Sequence, residues 1–389
     1  MPSFPAPDFV TARSTLNRNE ILAGLPANTL PPELLPAFIA ANDGPFLERA
    51  ADRVLSNTEF TRRHLGGRRG DWDFVYVVED PHRLLSESFV FKQTSREKVT
   101  RDLETVAGLR RFLRDHDAPL HFALPKPMHI SSAVNPAGEG AVIYMMRKAH
   151  GRELGQLVID WRKGRSPNPQ HHFREALHFL AYFHAWGYRG SAQKTATRES
   201  LADLFRKWLP AAAAKALAAE LQEGFPLLLK KDAHPENWLL SNAGEIVMLD
   251  FESSSSSPVG LDIAQLLDDY PLLSNDADGW KIRLELLSEY SNLLAKFDIE
   301  WKPCNSELSL WYRALVLTRC AFGLRRLRGL ARRPSGSFSS SALRAGEWRA
   351  AHYRELLRFL GNSTASAGIR SCAAKLLDTE SEVSAHRQR

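Results

Sequence analysis

Residues 227 to 267 read LLLKKDAHPENWLLSNAGEIVMLDFESSSSSPVGLDIAQLL. An apolar run, Leu227-Leu228-Leu229, feeds a polar turn that holds Asp232 and Asn237, five residues apart across Pro235. Asn242-Ala243-Gly244 then gives a tight reversal into Ile246-Val247-Met248-Leu249, and Asp250 stands where that second strand ends. Asn and Gly between two apolar runs are the signature of a hairpin, because both accept the left-handed backbone such a turn needs. The pattern therefore predicts that Asp250 returns towards Asn237.

One carboxylate to accept a hydroxyl proton, with an amide oxygen and a second carboxylate to hold Mg²⁺, is the equipment of phosphoryl transfer. Oxygen ligands suit a hard cation, and nucleotide phosphates complete its coordination. With D-x-x-x-x-N followed by D-F-E, the stretch resembles the catalytic and metal-binding loops of the aminoglycoside phosphotransferase and choline kinase family, within the protein-kinase-like fold. Pro258-Val259-Gly260-Leu261-Asp262-Ile263-Ala264 resembles the family segment that ends in Asp-Leu-Ala. Taken singly, Asp and Asn at hairpin turns are ordinary loop chemistry; their order and spacing carry the resemblance. One departure stands out. Where the family has His-Gly before the catalytic aspartate, this chain has Lys230-Lys231. Lysine there either favours the ionised form of Asp232 and weakens it as a base, or pairs with an anionic acceptor.

Working towards the N-terminus, Ala141 to Met146 form an apolar strand that runs into Arg147-Lys148-Ala149-His150-Gly151. This resembles the family hinge, and the resemblance implies that backbone groups around Met146 and Lys148 bond an adenine edge. Before it lies an amphipathic pattern from about 95 to 114, with the apolar stripe Leu103, Val106, Leu109, Phe112 and Leu113. Lys92 closes the strand Ser88-Phe89-Val90-Phe91-Lys92. Alone it reads as a solvated strand end, but in this place it resembles the phosphate-binding lysine of the family. Glu97, Asp102 and Glu104 compete as its partner, and Glu104 is expected to take that role because the stripe points its flank inward; the bland alternative is a surface glutamate paired with a neighbouring cation. Upstream, Gly66, Gly67 and Gly70 precede Phe74-Val75-Tyr76-Val77-Val78. A glycine cluster between strands lets backbone approach phosphates or merely turns a hairpin; the resemblance assigns Gly66 and Gly67 to the loop that covers the nucleotide.

Beyond the hinge the chain reads as mainly helical, with a Gly- and Pro-containing loop at 164–169 and a break at Pro210. His184, in Leu180-Ala181-Tyr182-Phe183-His184, resembles the L-x-x-x-H core helix of the family and reads as a satisfied core histidine. Asp268-Asp269 lines a pocket for a cationic acceptor or caps a solvated helix end. Arg319, Arg325, Arg326 and Arg328 serve an anionic acceptor or form a solvated basic face. These two hints point in opposite directions.

Composition sets the outer bounds. With 389 residues and 44% hydrophobic content the chain can bury a large core, and two lobes are expected. Three cysteines without a C-x-x-C pair predict a reducing compartment. No stretch approaches the ~18 apolar residues of a membrane span, and the start lacks a signal-peptide pattern, so the expectation is a cytoplasmic protein without membrane partners. The formal charge of +6 invites nucleic acid, yet no aromatic-basic repeat or recognition-helix pattern supports it.

The resulting expectation is an α+β, bilobal protein-kinase-like fold, with a small β-sheet N-lobe and a mainly helical C-lobe. Its parts are an N-terminal extension at 1–55, the N-lobe at 56–148, the C-lobe with catalytic and metal loops at 149–361, and a polar, poorly ordered tail at 362–389. The resemblance implies ATP and Mg²⁺ as cofactors, with Asp232 as catalytic base and Asn237 and Asp250 as metal ligands. A hydroxyl on a small molecule is the expected acceptor. A protein kinase and a nucleotide-binding pseudokinase remain as alternatives. The short run from Asp250 to Asp262 argues against the first, and the joint presence of Asp232, Asn237 and Asp250 against the second.

Overall fold

The computed structural model describes residues 15–16, 60–67, 74–79, 89–134, 140–147, 149–189, 195–251, 255–331, 340–362 and 366–387. The chain divides into two compact units, Met1–Gly151 with Ser241–Glu252, and Arg152–Leu240 with Ser253–Arg389. The segment that carries Asp250 groups with the first unit. The architecture is mixed α+β and mostly helical, as the sequence led one to expect.

In the first unit, β1 (Thr15–Leu16), β2 (Phe60–Gly67), β3 (Phe74–Glu79), β4 (Phe89–Ser95), β6 (Lys126–Val134) and β7 (Gly140–Arg147) form one antiparallel sheet in the order β1-β2-β3-β4-β7-β6. Helix α1 (Arg96–Asp115) packs against β4 and β7. Its apolar stripe of Val99, Leu103, Val106, Leu109, Phe112 and Leu113 is buried, on the order of 1.5–3 kcal/mol for each large side chain. Glu97 in the first turn and Arg114 in the last complement the helix dipole. The helix stops where Asp117 turns left-handed, at φ 46°, and the Ala118 N–H reaches back to the Leu113 carbonyl at 2.9 Å. β5 (Phe122–Ala123) pairs parallel with β11 (Ile246–Met248), the strand that leads into Asp250.

The chain leaves this unit through β8 (Gly151–Glu153) and becomes helical: α2 (Leu154–Arg162), α3 (Gln170–Arg189), α4 (Arg198–Arg206) and α5 (Ala211–Ala219). Phe173, Ala176, Leu177, Leu180 and His184 recur at helical spacing on α3, and all are buried. Thr197 starts α4 with a capping box: its side chain accepts from the Ser200 N–H while the Ser200 hydroxyl accepts from the Thr197 N–H. Replacing Thr197 by alanine is expected to cost about 1 kcal/mol, read as a lower urea midpoint with an unchanged slope.

β9 (Leu227–Leu229) pairs antiparallel with β12 (Ser256–Pro258), so the chain is tied together on either side of the segment that carries Asp232, Asn237 and Asp250. Between them in the chain lie a 3₁₀ turn, Pro235–Asn237, then β10 (Trp238–Ser241) and β11. Gly260 then opens α6 (Leu261–Asp268) at φ 94°. That backbone suits glycine, and a Cβ there would stand 3.0 Å from Leu315. Helices α7 (Ala277–Ala295), α8 (Asn305–Ala331) and α9 (Ser340–Gly361) follow, with α8 packed on α6, α7 and α9. Trp311 of α8 is buried against Phe225, ring centroids 4.5 Å apart, and its indole N–H donates to the Val259 carbonyl.

The tail departs from expectation. Ala367–Arg387 is a helix, α10, packed on α9, α8 and α5. Ile369, Cys372 and Ala373, at i, i+3 and i+4, are buried on one face, and this stripe outweighs the polar composition that suggested disorder. The extension's helical pattern near 33–39 and most of the serine-rich loop at 332–341 lie outside the described residues.

Candidate active site

The second unit builds the turn that carries Asp232 and Asn237 from the main chain outward. Asp232 adopts a left-handed backbone, φ 59°, which aspartate tolerates better than most side chains. The Asn237 amide donates to the Asp232 carbonyl at 2.9 Å, and the Asn237 N–H bonds the His234 carbonyl at 2.8 Å. The side-chain NH₂ of Asn237 is thus committed to the turn itself. The turn also rests on buried Trp238, whose indole N–H donates to the Ala233 carbonyl.

Behind the turn sits a buried relay. The Asp262 carboxylate accepts the Lys231 N–H at 2.7 Å and lies 3.1 Å from His184 Nε2, while His184 Nδ1 is 2.5 Å from the Tyr290 hydroxyl. The carboxylate fixes the Nε2–H tautomer, which leaves Nδ1 to accept from Tyr290. His184 is thus a paired core histidine that braces the turn from within.

Asp232 presents a side chain 40% exposed. Burial on its other side raises its carboxyl, but the charge of His234, a hydrogen bond from Gln265 Nε2, and the charges of Lys230 and Arg319 outweigh this and hold it at about 2. Lys230 therefore acts as the sequence suggested in one of its two readings, favouring the ionised form. Glu236 is held well below the usual carboxylate range, because Arg349 and His234 overcome its burial. Tyr270, which donates to Glu236 at 2.7 Å, is pushed well above 10 by burial and by the Glu236 charge.

The first unit carries the other expected residues. Asp250 follows β11 at φ 63°, exposed, and the Phe251 N–H next to it donates to Asp102 Oδ1 at 3.0 Å. Here the helix reading needs correction. Glu104 is exposed, and the inward flank of α1 belongs to Asp102, which is 4% exposed. Lys92 lies in β4, in register with Val75 and Tyr144. Gly66 and Gly67 close β2, past a register shift after His64. Met146 sits half-buried in β7 opposite Val90, whereas Lys148 lies outside the described residues.

Asp268 and Asp269 form neither a pocket lining nor a solvated cap. Both are buried: Asp268 accepts from Arg283 Nε at 2.8 Å and from the Tyr312 hydroxyl at 2.7 Å, and Asp269 pairs with Arg319 and Arg349. The opposed charges that suggested a cationic or an anionic acceptor are partly each other's partners. Among the described residues no group of three His, Cys, Asp or Glu side chains is placed to hold a metal. The amide oxygen of Asn237 and the carboxylate of Asp250 are each the kind of oxygen donor that a hard cation takes. No helix among the described residues is long and apolar enough to cross a membrane.

The profile described as phosphotransferase enzyme family (APH) matches residues 64–291. No curated protein matches the sequence. Among solved structures, a glucosamine kinase is similar at 12% identity and TM-score 0.37, covering 76% of this chain and 94% of its own. The AMP-bound spectinomycin phosphotransferase APH(9)-Ia is similar at 13% identity and TM-score 0.32, covering 77% and 90%. The kinase domain of Mycobacterium tuberculosis PknI is similar at 17% identity and TM-score 0.24, covering 76% and 95%.

Proposed function

Because the chain belongs to the phosphotransferase enzyme family, matched over 64–291, we propose that it moves the γ-phosphoryl group of ATP to a hydroxyl of a small molecule. The observation that carries this reading is the turn itself: within six residues it offers a half-exposed, ionised carboxylate and an amide whose nitrogen is already engaged. Asp232 accepts and orients the acceptor hydroxyl. A carboxylate held at about 2 is a weak base, which suits a loose transition state in which the hydroxyl proton leaves late. Catalysis then rests on position and charge.

Asn237 and Asp250 would hold Mg²⁺, which when bound neutralises charge on the phosphate oxygens. Lys92 binds phosphate. Gly66 and Gly67 approach the phosphates through their backbone, and the main chain around Met146 and Lys148 meets the adenine edge. Twelve residues from Asp250 to Asp262 leave little room for a peptide-docking segment, which favours a small acceptor.

Gln265 has a measurable part in this scheme. It donates to Asp232 Oδ1, and hydrogen bonds to charged groups are worth roughly 1.5–3 kcal/mol. Gln265→Leu is expected to lower kcat about tenfold, since water can replace part of the bond at a half-exposed carboxylate, with KM for ATP nearly unchanged. The function as a whole is tested by offering the protein γ-labelled ATP and Mg²⁺ with a panel of aminoglycosides, choline-like alcohols, sugars and amino-acid alcohols, and separately a generic protein. Label in one small acceptor supports the proposal; label in protein alone replaces it with a protein kinase; failure to bind nucleotide overturns it.

A further inference from the structure

The 3₁₀ turn between Asp232 and Asn237 has Glu236 at its centre, and that carboxylate is fully engaged. Oε1 accepts from Arg349 Nη1 at 2.8 Å and from the Tyr270 hydroxyl at 2.7 Å. Oε2 lies 3.0 Å from His234 Nδ1, and His234 Nε2 in turn stands 3.7 Å from Asp232 Oδ2. Arg349 belongs to α9, 58 residues past the end of the family match at 291. It is 9% exposed, sits 5.6 Å over the Tyr270 ring, and uses Nη2 to reach Asp269 at 2.7 Å. Asp269 is itself clamped by Arg319 and by the Tyr353 hydroxyl.

The chemistry of these contacts is directional. A guanidinium is a rigid fork, so when one prong is fixed on a buried carboxylate the other has a defined reach. Asp269 fixes the first prong, and Glu236 meets the second. Position 236 is thereby pinned from outside the turn, and with it the two residues on either side that carry the proposed chemistry.

We infer that Arg349 is a positioning residue of the catalytic turn: helix α9 sets the placement of Asp232 and Asn237 through the Arg349–Glu236 pair. The inference rests on the phosphotransferase reading for its catalytic half, while its structural half stands independently. Removal of the clamp lets the turn open and leaves the proposed base and metal ligand in the wrong place for part of the time. Chemistry then suffers more than nucleotide binding.

The test uses the full chain and four variants, Arg349→Met, Arg349→Lys, Glu236→Gln and the double variant Arg349→Met with Glu236→Gln. Glu236→Gln leaves the Arg349–Asp269 pair in place, so it keeps the question open to measurement if Arg349→Met does not fold. Amide hydrogen exchange is followed over residues 230–240, with the core of α3 as internal reference. Expected are at least tenfold faster exchange in the turn and an unchanged α3 in Glu236→Gln and Arg349→Met. A kcat lowered tenfold or more with KM for ATP within twofold, partial rescue in Arg349→Lys, and a double variant no worse than the poorer single complete the expected pattern. Unchanged exchange in the turn overturns the inference whatever the activity, and a loosened turn with unchanged kcat overturns its catalytic half. If the wild-type chain transfers phosphate to no acceptor, the functional reading fails, and exchange still decides whether α9 holds the turn.

Discussion

Asp232→Ala is expected to lower phosphoryl transfer by about 10²–10⁴-fold, the usual range for removing a positioned proton acceptor, while nucleotide affinity changes little. Asp232 points a half-exposed carboxylate outward, and its main-chain carbonyl, not its side chain, anchors Asn237. The alanine variant thus deletes the carboxylate proposed to meet the acceptor, and Asp232→Asn, which the left-handed backbone accepts without strain, does the same while keeping the hydrogen bond that shapes the turn. Single-turnover measurement with saturating ATP separates the chemical step from binding. The pH dependence sharpens the test. The carboxyl is held at about 2 in the folded protein, below the ordinary aspartate value of about 3.9. Its stabilising contribution is therefore complete above about pH 4 and lost as the pH falls through about 2. No acid limb from Asp232 is expected in the rate profile above about pH 3; a limb near 6 that disappears in Asp232→Asn would contradict this assignment.

The second large effect is on stability. Asp269→Ala is expected to cost at least 3–5 kcal/mol, the range for breaking a buried ion pair from one side. Asp269 is fully buried and accepts from Arg319 Nη2 at 2.5 Å, Arg349 Nη2 at 2.7 Å and the Tyr353 hydroxyl at 2.7 Å. Burial alone would lower the two arginines, yet the Asp269 charge keeps both raised above the ordinary guanidinium value. Alanine leaves two guanidiniums without their shared anion. Against a total stability of about 5–15 kcal/mol, such a loss takes a large share of the margin that keeps the chain folded. Urea unfolding of Asp269→Ala and Asp269→Asn measures it; a loss under 1 kcal/mol in the alanine variant would mean that the pair is dispensable.

Much of the molecule was legible in its residues because it is written locally. The spacing of Asp232, Asn237 and Asp250 is a property of one hairpin, and the helices from 154 onwards follow from apolar periodicity and from proline and glycine breaks. The acid on α1 was misplaced through a neglected spacing. Asp102 stands three residues after Val99 and four before Val106, on the buried stripe, while Glu104 falls on the exposed side. Asp268 and Asp269 could not be read the same way. Their partners lie at 283, 312, 319, 349 and 353, up to 84 residues away, and adjacent acids at a helix end carry no mark of which distant arginine will meet them. The role of Glu236 was hidden for the same reason: its partner is on a helix with no local link to the turn.

The left-handed backbones at Asp232 and Asp250 bear on how this chain can change over generations. At φ near 60° the side chains that fit without strain are glycine, asparagine and aspartate. Each aspartate codon is one base change from a codon for asparagine and from one for glycine. A lineage can therefore lose either chemical group by a substitution that the backbone accepts, and recover it by the reverse step. Intact relatives that lack either carboxylate are easy to generate at these two positions, whereas a change at Asp269 costs the fold much of its stability.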